Sequence, residues 1–257
     1  MKNSTLISVI AFVSVVSSFS SHADSVWVTM IGAENARLVS GQTDVSPATK
    51  KERQQLELIA HGANIKALGM TIENTTGTKF NRNGDLTAAR NWSYGYFNDN
   101  HGISLDLIKG DWLGTGPNIA AVGYAYKKSL GDFSFRVNPT LARIAVKQGP
   151  GRYLNDHGVQ LNLRGDYQVN DRLSLRVHPQ FATWRNDSLG STMKLELSAT
   201  MNLTDNKRHK LSVLHESYLV NNKASGMKTR WVGENSPIAG VVPGTEQVFK
   251  VRYAYVF

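Results

Sequence analysis

Apolar residues recur at every second position through three consecutive stretches in the second half of this chain. Val159, Leu161, Leu163, Gly165 and Tyr167 alternate with Gln160, Asn162, Arg164, Asp166 and Gln168. Leu173, Leu175 and Val177 then alternate with Arg172, Ser174, Arg176 and His178. Met193, Leu195, Leu197, Ala199, Met201 and Leu203 alternate with Lys194, Glu196, Ser198, Thr200 and Asn202. A period of two is that of an extended strand, whose successive side chains point to opposite faces. The last eleven residues, QVFKVRYAYVF, repeat the pattern with aromatics: Phe249, Val251, Tyr253, Tyr255 and Phe257 share one face, while Lys250 and Arg252 lie on the other. A half-buried soluble sheet also alternates, but rarely across so many long strands. An apolar, aromatic-ended face opposite a charged one belongs between lipid and water.

Reading backwards from Phe257 gives candidate strands at 247–257, 209–221, 192–203, 172–185, 158–168, 132–148, 118–128, 101–109, 91–98, 63–74, 52–60 and 25–32, with no helical period between them. The expected fold is all-β: a single transmembrane antiparallel barrel of about twelve strands. Strands 25–32, 52–60 and 91–109 are weakly patterned, which leaves ten to fourteen within range. An even number puts both termini on the periplasmic side. Tight turns are expected at His61-Gly62, 129–131, 169–171 and 204–208, with longer connections at 33–51, 73–90, 110–117, 149–157 and 222–246 between them. Trp92, Tyr94, Tyr96, Tyr124, Tyr126, Phe133, Phe135 and Tyr167 lie near strand ends, as interfacial girdles require. Pro139 and Pro179 fall inside strands and lack an amide donor, which predicts a bulge or strand end at each. A bulge at Pro139 would turn Arg143 and Lys147 from the lipid face into the lumen. No internal repeat or domain boundary is visible.

The start of the chain agrees with its end. Lys2, the apolar run Leu6 to Val16 and Ser21-His22-Ala23 read as a secretory signal over residues 1–23, cleaved to leave a barrel of residues 24–257. Its loss takes away one base and no acid, so the formal charge falls from +9 to +8. The chain has no cysteine, which excludes disulfides, thiolate metal sites and lipid attachment at a cysteine. A basic excess on an exported protein points to anionic solutes or lipid phosphates rather than nucleic acid. The final strand, ending on an aromatic, resembles the C-terminal signature of bacterial outer-membrane barrels. Phe249, Val251, Tyr253, Tyr255 and Phe257 carry that resemblance. It implies insertion by the barrel-assembly machinery, with outer-membrane lipid and lipopolysaccharide as surroundings.

In this register Arg53, Arg136, Arg143, Lys147, Arg164, Arg172, Arg176, Lys194, Lys210, Lys250 and Arg252 point inward. Against them stand Glu57, Glu73, Asp106, Asp166, Glu196 and Glu216. Low-dielectric walls focus such a surplus, and arginine offers a planar fork to carboxylates, sulfates and phosphates. Arg136, Arg143, Arg164, Arg172, Arg176, Lys194, Lys250 and Arg252 are therefore the expected pore-lining, anion-binding set. The strand number, the loop at 33–51 followed by Lys50-Lys51-Glu52-Arg53, and the terminal Tyr253-x-Tyr255-x-Phe257 resemble the small monomeric oligogalacturonate-specific (KdgM-type) porins. That resemblance implies passage of acidic oligosaccharides through a narrow basic channel, with no cofactor or metal. It rests on architecture, since no motif aligns residue by residue. A barrel hydrolase acting on phospholipid or lipid A is the rival reading, with Asp156-His157 in an outer loop as its candidate dyad. No G-x-S-x-G or H-E-x-x-H pattern supports it. A third reading is a non-conducting structural or adhesion barrel that uses the loop 222–246.

Overall fold

A computed structural model describes residues 26–40, 52–110, 118–149, 152–187, 189–221 and 244–257. The expected signal segment 1–23 and most of the expected loop 222–246 lie outside the described residues. The chain forms twelve strands: β1 Val26–Ser40, β2 Glu52–Ala67, β3 Met70–Phe80, β4 Leu86–Tyr96, β5 His101–Gly110, β6 Asn118–Leu130. They continue with β7 Phe133–Gly149, β8 Arg152–Gln168, β9 Leu173–Trp184, β10 Ser191–Asn202, β11 His209–Asn221 and β12 Gly244–Val256. Each strand pairs antiparallel with the next, and β1 pairs with β12, so the sheet closes on itself. Closure leaves no unpaired edge. The turns at Leu68-Gly69 and at 97–100, 131–132, 169–172 and 203–208 share one rim with the start of β1 and the end of β12. The opposite rim carries the hairpin at 81–85, together with the end of β1 and the start of β12.

The alternation read from the sequence is the alternation of the wall. Outward positions are exposed: Val159 54 %, Leu175 42 %, Leu197 43 %, Phe249 41 % and Tyr253 42 %. Inward positions are covered and largely polar, among them Glu34, Glu57, Asp106, Asn138, Glu216 and Lys250.

Three expectations are corrected. The first turn is not at His61-Gly62. β2 runs through that pair, with Gly62 paired to Asn74, and bulges only beyond it, between Gly62 and Ile65, where Asn64 takes a φ of 57°. The chain reverses instead at Leu68 and Gly69, with φ of 55° and 72°, the doubly positive geometry that matches strand twist. The connection expected over 73–90 is mostly strand, with β3 and β4 joined by a hairpin at 81–85. Finally, no bulge forms at Pro139. The β7–β8 register is continuous through Asn138↔Asn162, Pro139↔Leu161 and Thr140↔Gln160. On the β6 side the ladder skips from Gly123↔Thr140 to Tyr126↔Val137 without changing register. There the Asn138 side chain donates to the Tyr124 carbonyl at 2.7 Å, so the gap left by proline is filled by a side chain.

Candidate functional site

Because parity is kept across Pro139, Arg143 stays on the face of Pro139 and Leu141 and points outward, away from the lumen. Arg172 also leaves the expected set. It sits in the β8–β9 turn at the short-turn rim, where it pairs with Asp205 of the next turn on that rim and is 63 % exposed. Arg136, Arg164, Arg176, Lys194, Lys250 and Arg252 do point inward. The side chains of Arg53 and Lys147 lie outside the described residues.

Most of the inward charges form two systems. One is a belt crossing six strands, from β3 through β2, β1, β12 and β11 to β10. Glu34, whose side chain is fully covered, meets Arg252 at 2.6 Å, Lys79 at 3.0 Å and Lys250 at 4.0 Å. Glu57 meets Arg252 at 2.9 Å. Lys250 reaches Glu216 at 2.8 Å, and Lys194 continues to Glu216 at 3.0 Å and Glu196 at 3.3 Å. Among the described residues the belt balances: Lys79, Lys194, Lys250 and Arg252 against Glu34, Glu57, Glu196 and Glu216. Such a ladder holds the wall together but offers little surplus field to a passing ion.

The second system lies on the opposite wall. Lys127 of β6 and Arg136 of β7 share Glu73 of β3, the arginine at 2.7 Å. Arg164 of β8 and Arg176 of β9 share Asp166, at 2.6 and 2.7 Å. Four cations thus meet two carboxylates. Arg164 and Arg176 are also the most open inward arginines of the belt and wall systems, at 37 % and 39 % side-chain exposure. Lys127, Arg136, Arg164, Glu73 and Asp166 line a cavity of about 380 Å³ near the short-turn rim, where the exposed Asp99 and Lys128 offset each other. Lys210 faces inward at the same rim and has no ion pair among the described residues. Among the described residues the positive surplus of the lumen therefore lies towards the short-turn rim, on the β6–β9 wall and at Lys210.

Aromatic side chains fix these cations. Trp92, Tyr94 and Tyr96 were expected in the interfacial girdle, but pairing of β4 with the buried inward positions of β5 turns them into the lumen. Arg136 lies 4.0 Å over the Tyr94 ring, Lys127 4.0 Å over Tyr96 and Arg90 4.1 Å over Trp92. Arg90 also binds Asp106 through both arms of its fork, at 3.0 and 2.6 Å. Sequence reasoning missed Lys79, Arg90 and Lys127 because their strands carry no apolar alternation to set the register. The signal that could have found them was W-x-Y-x-Y itself, an aromatic face without aliphatic neighbours. Tyr124, Tyr126, Phe133, Phe135 and Tyr167 do face outward near the short-turn rim. So do Phe249, Val251, Tyr253, Tyr255 and Phe257 along β12.

Part of the lumen towards the other rim is apolar. Ala121, Ala142, Ile144 and Trp184 pack with Leu189, which the β9–β10 turn inserts until it is fully buried. The proposed Asp156-His157 dyad is undone by the same geometry. Both residues lie within β8 on opposite faces; Asp156 points inward and accepts the Asn186 amide at 2.7 Å, and His157 points outward.

A closed antiparallel barrel with an apolar exterior and a charged, ion-paired interior has the architecture of outer-membrane porins. Comparison with solved structures agrees. The chain superposes on NanC porin with a TM-score of 0.52 at 8 % identity, covering 88 % of this chain and 98 % of that one. An anion-selective porin from Comamonas acidovorans gives 0.49 at 9 % identity, over 91 % and 99 %, and KdgM porin gives 0.47 at 9 % identity, over 89 % and 99 %. At such identities the likeness is one of fold. The amino-acid sequence matches no protein-family model and no curated protein.

Proposed function

We propose that this protein is an outer-membrane channel of the KdgM-like kind, passing small anionic solutes and, as the substrate class, acidic oligosaccharides. The observation that carries the reading is the excess of cations at the short-turn end of the β6–β9 wall, where Lys127, Arg136, Arg164 and Arg176 are ion-paired with Glu73 and Asp166. A surplus held in a low-dielectric wall attracts anions, and two arginines sharing one carboxylate keep donors free for a second. Stacking on Tyr94 and Tyr96 holds Arg136 and Lys127 extended, so that they present charge without collapsing onto each other. The short turns face the periplasm, and the C-terminal aromatic face serves insertion.

The test is the reversal potential of single channels in planar bilayers under a salt gradient. The native protein is expected to prefer anions. Arg164→Glu with Arg176→Glu should shift the preference towards cations without closing the pore. Unchanged selectivity in that variant would sink the assignment of the site. A barrel without conductance would sink the channel and leave the structural reading.

A further inference from the structure

The outward face of β7–β9 holds a second group of cations that the pore does not use. Every inward arginine whose side chain is described is paired with a carboxylate: Arg90, Arg136, Arg164, Arg176 and Arg252. Arg143 and Arg185, both exposed and outward, have no ion pair among the described residues. They flank His157, also outward: Arg143 is its cross-strand partner on β7, and the Arg185 amide donates to the His157 carbonyl at 3.1 Å. Arg143 and His157 are ladder partners and Arg185 directly follows the end of β9, so the arginine backbones stand about 10 Å apart, two strand spacings.

The height of this row gives it meaning. Beneath Arg143 the outward positions of β7 are Leu141, Pro139, Val137, Phe135 and Phe133; beneath His157 on β8 are Val159, Leu161, Leu163, Gly165 and Tyr167. From Phe133 to Arg143 is about 33 Å along a strand at about 3.3 Å per residue, or about 25 Å of height at a tilt of about 40°, the height of the apolar band of an outer-membrane barrel. The row therefore begins where the hydrocarbon ends, on the rim opposite the short turns. Arginine forks at that level match phosphate geometry, and Asp156, the acid nearest His157 along the chain, points inward. Asp187 is the acid in the Arg185 turn.

We infer that Arg143, His157 and Arg185 form a docking site for a phosphate of the outer-leaflet saccharolipid, lipopolysaccharide. The inference rests on the outer-membrane reading but not on conduction. The experiment is native mass spectrometry of the full barrel in detergent, titrated with lipopolysaccharide, with the same lipid after removal of its phosphates, and with inorganic phosphate. Tight retention of the phosphorylated lipid alone is expected. Arg143→Gln with Arg185→Gln should weaken it about 25-fold, at about fivefold per arginine, while heat-modifiable migration and conductance stay native. Equal retention of the dephosphorylated lipid, equal retention of free phosphate, or native affinity in the folded double variant would each overturn the site. Failure of the channel reading would appear only in the conductance, so the two failures separate.

Discussion

Asp166 sits between two guanidinium groups and decides how much of their charge the lumen sees. It accepts from Arg164 Nε at 2.6 Å and from Arg176 Nε at 2.7 Å, yet its side chain remains 28 % exposed. The pair it anchors is thus wet, and losing the carboxylate does not strand buried charge as it would in the belt. Asp166→Asn keeps the shape and one acceptor while removing the negative charge. The expected result is a folded barrel whose anion preference rises, with stability changed by no more than about 1 kcal/mol. Reversal potential and urea unfolding in vesicles check the two halves, and a fall in anion preference would contradict the role given to this wall. The proximity of Arg164, Asp166 and Arg176 was legible in the sequence, because their parities place them inward on adjacent strands. That two cations share one acid was not, since it depends on the β8–β9 register, Asp166↔Arg176.

At the scale of elements, β3 and β4 resisted sequence reading because their outward face is not apolar. β3 and β4 carry Asn74, Thr76, Asn91 and Ser93 towards lipid, satisfied by one another. Asn74 donates to Ser93 at 2.7 Å, Asn91 to Thr76 at 2.8 Å and Ser93 to Asn91 at 2.9 Å. A closed set of side-chain bonds makes polar residues tolerable there, and it erases the alternation that marks a strand. A short motif recurs on two strand pairs. His101 with Tyr124-Ala125-Tyr126, and His209 with Tyr253-Ala254-Tyr255, form the same cluster on β5–β6 and on β11–β12, each with a tyrosine hydroxyl on histidine Nδ1. Each also has a T-shaped contact at 5.1 Å. The two lie six strands apart in a ring of twelve, so equivalent anchors stand on opposite sides of the short-turn rim. The β9–β10 turn packs Leu189 against the inward Trp184 and Ile144, where it is expected to narrow the bore. Leu189→Ala should cost about 2–3 kcal/mol of stability and raise single-channel conductance. Lost stability with unchanged conductance would make the cluster a structural wedge rather than a constriction.

For the whole molecule, what the alternation made legible was the fold: strand number, even parity, one apolar face and closure. What remained hidden was the division of the inward charges into a balanced belt and an unbalanced wall. That division depends on which strands become neighbours when the sheet closes, and Glu34 and Arg252 show it best, being 218 residues apart in sequence. Their pairing crosses the β1–β12 seam, so the belt is expected to help hold the barrel shut. Glu34→Gln leaves Arg252, Lys79 and Lys250 facing one another around a covered position and should cost about 3 kcal/mol. Arg252→Gln should cost about 2 kcal/mol, less because that side chain is 23 % exposed. The double variant removes the repulsion along with the attraction. It should therefore cost less than the two singles combined, by about 1–2 kcal/mol, as measured by urea unfolding from lipid vesicles. Strict additivity would mean that the backbone ladder alone closes the seam and that the belt only fills space.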